Sequence, residues 1–440
     1  MPLVSHAPTV HAGLVTERAT PEPTSISPPP AIPPRATLTR IQHRTIALLC
    51  VAQVLGGLAM GASLALGAIL AERLSGSESL AGLATTVLTL GAAAAGLPLA
   101  ALAQRSGRRP ALATGFVIAA MGAAVVAAAV DIGWFPLLLV GMAGVGSGTA
   151  VSLQSRFAAT DLAEPRTRGR DLSLVVWTTM VGAVAGPALL PVGADVAGVL
   201  HIDELAGPFV IGAAGAGAAA VVLWAGLRPD PLIVSTAAAS STSTGTVKPT
   251  LAQGWQTIRS IAEARNAVVS VVSAHAVMVA VMALTPVHMT HGGASITLVG
   301  LSISAHVAGM YALAPVMGVL TDRFGRVPTV VFGQGLLLAA CVTGFTLRHS
   351  QTGLVVALVL LGLGWSATTV AGSTLLTESV PVPRRPRVQG ISDTLMSLAG
   401  AVAGALAGVV VGLFGYPALV LGAGVISVLA AIYVLTDRPR

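Results

Sequence analysis

The chain has 440 residues, of which 54% are hydrophobic and 9% charged, with a mean hydropathy of +0.84. A soluble domain carries about 25% charged residues, so this composition excludes an ordinary soluble fold and places most of the chain in lipid. The net charge of +7 comes from arginines gathered in short loops, with no soluble basic face, which excludes a nucleic-acid-binding reading.

Residues 1–44 are polar and Pro-rich, with Ser27-Pro28-Pro29-Pro30 and Pro33-Pro34, and lack the apolar core and cleavage pattern of a signal peptide. They are expected to form a disordered cytoplasmic tail. A hydrocarbon core of about 30 Å takes about 20 apolar residues per helical crossing. Six such spans are expected near 46–70, 80–103, 111–130, 135–158, 172–190 and 208–226, making a first bundle over 45–228. The stretch 229–266 is expected to be a cytoplasmic linker. Its Ala, Ser and Thr-rich part is followed by Trp255, Ile258 and Ile261 at helical spacing beside Arg259 and Arg265, the pattern of a helix lying on a membrane surface. Six further spans, near 267–289, 297–320, 330–347, 354–377, 391–411 and 418–435, make a second bundle over 267–435, and 436–440 form a short tail. The expected fold is an all-α membrane protein of twelve transmembrane helices in two pseudo-symmetric six-helix bundles.

With both termini on one side, that side receives all 24 Lys and Arg except Arg73 and Arg348. The bias makes this side cytoplasmic. Lys248 is the single lysine against 23 arginines, and with the Ala, Gly and Val richness this points to a GC-rich bacterial genome and hence to the inner membrane. Cys50 and Cys341 both fall within spans, so no disulfide framework is implied. No cofactor is called for, and the expected state is a monomer in the lipid bilayer.

The second half repeats the first. Arg105-Ser106-Gly107-Arg108 returns 218 positions later as Arg323-Phe324-Gly325-Arg326 (105 to 323). At the same offset Gly144 falls on Gly362, and the pentapeptide from Gly182 to Gly186 falls on an identical one from Gly400. Two such halves imply a carrier whose repeat interface opens alternately to each side.

Twelve spans, the 6+6 repeat and the loop motifs resemble the major facilitator superfamily over roughly 45–435. The family's loop signature, Gly-x-Leu-Ala-Asp-Arg-x-Gly-Arg-Arg, is well matched by Gly318 to Arg326, including Asp322, Arg323 and Gly325. The first copy keeps Arg105, Gly107, Arg108 and Arg109 but has Ala100 for the Gly and Gln104 for the Asp. The resemblance implies an inner gate built from these eight basic, acidic and glycine positions, with the first-half charge network weakened at Gln104. Gly182, Gly186 and Pro187 resemble the core of the antiporter motif of drug exporters in this superfamily; close helix packing and a Pro kink account for the same residues.

Residues 275–317 hold four of nine histidines and five of eleven methionines, a concentration that marks them out as candidate ligands. His275, Met278, Met282 and Met289 share one face of the seventh span, and His306 and Met310 stand at i, i+4 in the eighth. His288, Met289 and His291 lie at the outer mouth. Thioether and imidazole are donors that Cu(I) favours, and the paired pattern resembles bacterial copper importers of this superfamily that supply cytochrome c oxidase assembly. The first expectation is therefore Cu(I) uptake, with methionine packing as the plain alternative. The alternative function is proton-coupled efflux of drugs or other small organic molecules. Against it, Glu72, Asp131, Asp161, Asp171, Glu378 and Asp393 all fall at expected span ends, leaving no acid in mid-membrane, although His275 or His306 could titrate. No enzyme motif is present: Gly144-Val145-Gly146-Ser147-Gly148 lies inside an apolar span without a lysine for phosphate. A non-transporting sensor or assembly factor on the same scaffold would be told apart by solute accumulation in vesicles.

Overall fold

The computed structural model describes residues 1–5, 35–77, 80, 83–240 and 250–437, and only the backbone of 35, 64, 65, 68, 183–188, 239, 240, 296 and 297. Most of the expected tail lies outside these residues. Its last part does not follow the expectation, because helix α1 (Arg35–Ser75) already begins at Arg35. Residues 35–44 hold no Pro or Gly, so nothing stops the helix from running past the hydrocarbon core.

The first half continues with α2 (Leu83–Ser106), α3 (Arg108–Ile132), α4 (Phe135–Ala158), α5 (Arg168–Leu200) and α6 (Gly207–Gly226). Two short helices, α7 (Pro231–Ser240) and α8 (Leu251–Ser260), stand between the halves. The second half comprises α9 (Ala262–His291), α10 (Ile296–Tyr311), α11 (Ala314–Phe324), α12 (Arg326–Thr346), α13 (Gln351–Ser379) and α14 (Arg385–Thr436). Among the described residues all regular structure is helical. Ten segments are long and apolar enough to cross a bilayer, with α14 taken as one. Helix α14 breaks at Gly415, where φ is 80°. Beyond the break Tyr416 meets Thr285 near the end of α9, while Asp437 returns to Asn266 near the start of α9. Two arms of α14 and the 33-residue α5 complete twelve crossings.

Two boundaries differ from the sequence expectation. The eighth span is split into α10 and α11, because Pro315 in the first turn of α11 cannot supply the N–H that would continue α10. The eleventh begins at Arg385 rather than 391, which moves Asp393 two turns inside the helix.

Glycines set the helix spacing. A Cβ at Gly182 on α5 would lie 2.7 Å from the Gly57 Cα on α1, and one at Gly144 on α4 would lie 2.8 Å from the Gly122 Cα on α3. Such backbone approaches are how helices gain packing energy in lipid, where the hydrophobic drive is absent. Each half has its own core, around Leu70, Val126, Met142 and Phe209 in the first and Val277, Leu337, Leu361 and Val420 in the second. The halves meet where α2 packs on α14 and α5 on α11. Helix α8 carries a capping box between Thr250 and Gln253, buries Gly254, Thr257 and Ile258, and exposes Trp255 and Arg259.

Candidate functional site between the two halves

The repeated loop motif builds the same turn twice. Gly107 and Gly325 have φ of 96° and 98°, a region that glycine enters without penalty. Each turn delivers an arginine to the start of the next helix. Arg108 donates from Nε and Nη2 to Asp161 at 2.8 and 3.2 Å, and from Nη2 to Gln389 of α14 at 2.7 Å. Arg326 donates to Glu378 at 2.9 and 2.8 Å and to the Pro165 carbonyl of the first half at 2.6 Å. In both halves the arginine thus pairs with an acid at or just past the end of the fourth crossing.

Asp322 closes the gap between the halves. Its two carboxylate oxygens accept the Gly169 and Arg170 backbone N–H groups at 2.9 Å each, at the start of α5, where unpaired donors and the helix dipole favour a negative charge. Gln104 occupies the corresponding position of the first copy, and its Nε2 has no partner among the described residues. The remaining motif arginines do less. Arg109 does not reach the second half, its backbone N–H donating to Asp230 just before α7 at 2.7 Å and its guanidinium lying 4.6 Å over the Trp224 ring. Arg105 and Arg323 are exposed, the latter 5.7 Å from the Phe324 ring.

Deeper along the interface lies a pair that the sequence reading does not find. Arg156 of α4 donates from Nη2 to Asp393 Oδ1 of α14 at 2.5 Å, and both side chains are 2% exposed. The absence of an intramembrane acid is therefore corrected: Asp393 is buried inside a crossing. Arg156 stands inside the expected span 135–158, where a charge is costly and marks function; that is the available signal. Toward the other membrane face, Trp365 Nε1 donates to His275 Nδ1 at 3.0 Å, and Tyr311 meets Trp365 edge-on at 5.7 Å. Gly400 packs on His275 just as Gly182 packs on Gly57, 218 positions earlier. The side chains of Gly186 and Pro187 lie outside the described residues.

The polar contacts seen between the halves all lie at the arginine-rich end or at Arg156–Asp393. At the opposite end those described stay within one half, as in Arg73–Asp203 and His288–Arg348. The halves are closed against each other at the arginine-rich end.

The expected ligands are scattered over several roles. Met278, Met289 and Met310 are buried in the second-half core, with Met282 packed against it. His306 is fully buried, with Nδ1 2.8 Å from the Leu358 carbonyl oxygen and Nε2 unpartnered. His288 stacks on Tyr416 at 4.2 Å and hydrogen-bonds the Arg348 carbonyl, and His291 is exposed. Among the described residues no three His, Cys, Asp or Glu side chains converge.

A lipid-embedded chain of two six-crossing repeats, latched at one end by ion pairs, has the build of an alternating-access carrier. The sequence model of the Major Facilitator Superfamily matches residues 47–293 and 266–440, and the chain belongs to that superfamily, whose members are transporters and not enzymes. It is similar to YdeG of Bacillus subtilis, an uncharacterized MFS-type transporter, with 39% identity over 401 residues, 91% of this chain and 93% of that one. It is 26% identical over 358 residues to the riboflavin transporter RfnT of Brucella anthropi, covering 80% of this chain and 85% of that one. Among solved structures, its fold resembles that of the human organic anion transporter TETRAN, with TM-score 0.70, 16% identity and coverage of 89% and 99%. The E. coli fucose:proton symporter FucP gives 0.64, 16%, 90% and 98%.

Proposed function

We propose that this protein is a proton-coupled secondary transporter of small organic molecules, with Asp393 as the proton-binding group. The Arg156–Asp393 pair carries the reading, because it is buried and joins a helix of each half. A buried pair holds only while both members are charged, since each repays the other's desolvation. A proton on Asp393 removes that balance and loosens the halves, so proton binding biases the conformational equilibrium. Asp322, Arg326 and Glu378, with Arg108 and Asp161, act as the gate, and Gly107 and Gly325 supply its turns. By the positive-inside rule this end faces the cytoplasm of a bacterium, across the inner membrane, and the working unit is a monomer. Riboflavin, organic anions and fucose, the solutes after which the relatives and fold neighbours are named, are all small organic molecules.

The test uses liposomes containing the purified protein and an internal pH dye. Riboflavin, fucose, naphthalene-2-sulfonate and ethidium are added in turn. At least one should move protons in the wild type, and Asp393→Asn should abolish that proton movement. Proton silence across the whole panel would overturn the reading.

Cu(I) carriage stands second, on one observation. The hydrogen bond from His306 Nδ1 to Leu358 leaves the Nε2 lone pair buried and free, beside a core that contains Met278 and Met310. His275, Met282, His288, Met289 and His291 would extend that ligand set. Copper retained by purified protein, and lost on Met278→Ala with Met282→Ala, would support it; metal-free protein would end it.

A further inference from the structure

We infer that the transported solute is an organic anion with an aromatic body, which replaces Asp393 on Arg156 and travels with one proton. The inference rests on the transporter reading above and specifies its substrate. Arg156 carries five N–H donors. Nη2 serves Asp393, while Nε and Nη1 have no partner among the described residues, although the side chain is 2% exposed. Buried donors are almost always satisfied, so this edge of the guanidinium is the unexplained feature of the interface. The face of the group is already covered, because it lies 4.9 Å over the Phe157 ring. What remains is an in-plane fork of N–H groups, the geometry that binds carboxylate, sulfonate or phosphate oxygens in pairs.

The rest of the site suits an aromatic body. Arg156 is the charge that bears on both His275 and Tyr311. Those two side chains are partly exposed and flank the buried Trp365. Gly400, with no Cβ, keeps the wall beside His275 thin. A ring lying along Tyr311, Trp365 and His275 could reach Arg156 with an acidic substituent.

The exchange balances. A proton binds the Asp393 carboxylate, the Nη2–Oδ1 pair parts, and one oxygen of the solute accepts from Nη2 while another accepts from Nε or Nη1. One negative charge leaves Arg156 as another arrives, so a monoanion enters with one proton and no net charge moves. The other charged group set against Asp393 is Arg108 from α3, itself paired with Asp161, and His275 from α9 lies against Gly400, two turns further along α14. An anion that competes for Arg156 takes the counter-charge from the Asp393 carboxylate and so favours the proton there.

The experiment compares naphthalene-2-sulfonate, anionic at every working pH, with neutral naphthalene-2-sulfonamide and cationic ethidium. Binding to purified protein is measured in weak buffer with a pH indicator. The sulfonate should bind with uptake of about one proton and should tighten up to about tenfold per unit fall in pH, as linkage requires. Asp393→Asn should bind it without proton uptake or pH dependence, and Arg156→Gln should lose it. The double variant Arg156→Gln with Asp393→Asn, which buries no charge, should fold and bind no sulfonate. Equal affinity for sulfonate and sulfonamide, or sulfonate binding without proton uptake in the wild type, would overturn the anion class. If ethidium or the sulfonamide moves protons in liposomes through Asp393 while the sulfonate does not, the transporter reading survives and the substrate class falls. If only riboflavin or fucose moves protons, the substrate class again falls alone; if none of these solutes does, the transporter reading falls with it.

Discussion

Asp393 shows how much hangs on one side chain. Hydropathy places it at a span end, because it locates apolar runs but not where a helix starts. Its partner Arg156 is 237 positions away, and no local pattern links them. Removing one member leaves a buried, uncompensated charge, which costs about 3–5 kcal/mol, whereas replacing both can be neutral. Asp393→Asn alone and Arg156→Gln alone should therefore each lower the unfolding temperature, and the double variant should recover most of the loss in thermal scans of detergent-purified protein. A double variant as unstable as the singles would mean that the pair is not the structural contact described. At the opposite face Arg73 holds the Asp203 carboxyl below its usual range, chiefly through their hydrogen bond. A depressed carboxylate contributes stability above the unfolded pKa of about 3.9 and loses it as pH falls through the folded value. Arg73→Gln should thus lower stability at neutral pH, slightly because the pair is largely exposed, and change nothing at acid pH, where the wild type has already lost the contribution. A loss of the same size at acid pH would assign Arg73 another role.

At the scale of elements, the crossings were legible because an apolar run of about 20 residues matches the thickness of a bilayer's hydrocarbon core. The break between α10 and α11 was less so: Pro315 was visible, but apolar residues on both sides hid its effect. Glycine roles were legible only where the repeat exposed them, at Gly107 with Gly325 and at Gly182 with Gly400. Which neighbour each glycine approaches needs the packed structure. Gly182→Leu would drive a side chain into the α1 backbone at Gly57, where a Cβ alone already comes within 2.7 Å. Overpacking of this kind costs about 1–3 kcal/mol or more. Gly408, also helical, has nothing within 4 Å of its Cβ position, and Gly408→Ala should be neutral or slightly stabilising. Thermal unfolding of both variants, side by side, checks the contrast, and equal losses would show that glycine count rather than contact matters.

For the molecule as a whole, the offset of 218 positions announced two halves but not how they stand. That depends on contacts between side chains far apart in sequence: Asp322 with the start of α5, Arg326 with Pro165, Arg108 with Gln389. The repeat also concealed an asymmetry, since Asp322 reaches across to the other half while Gln104 has no counterpart contact. The two copies of the motif therefore latch unequally at this position. Asp322→Asn keeps the size of the side chain but removes the charge that meets the α5 dipole and leaves one oxygen for two N–H donors, a loss of about 1–3 kcal/mol. That is enough to shift a two-state equilibrium by roughly 5- to 150-fold. Ser173 sits fully buried where α5 meets α11 beside Gly318, so a thiol there reports opening at the arginine-rich end. With Cys50 and Cys341 replaced, Ser173→Cys should react slowly with a maleimide, and severalfold faster when combined with Asp322→Asn. Gln104→Ala, made in the same background, should leave the rate unchanged. Equal acceleration by both would make the latch symmetric, and no acceleration by Asp322→Asn would remove this carboxylate from the gate.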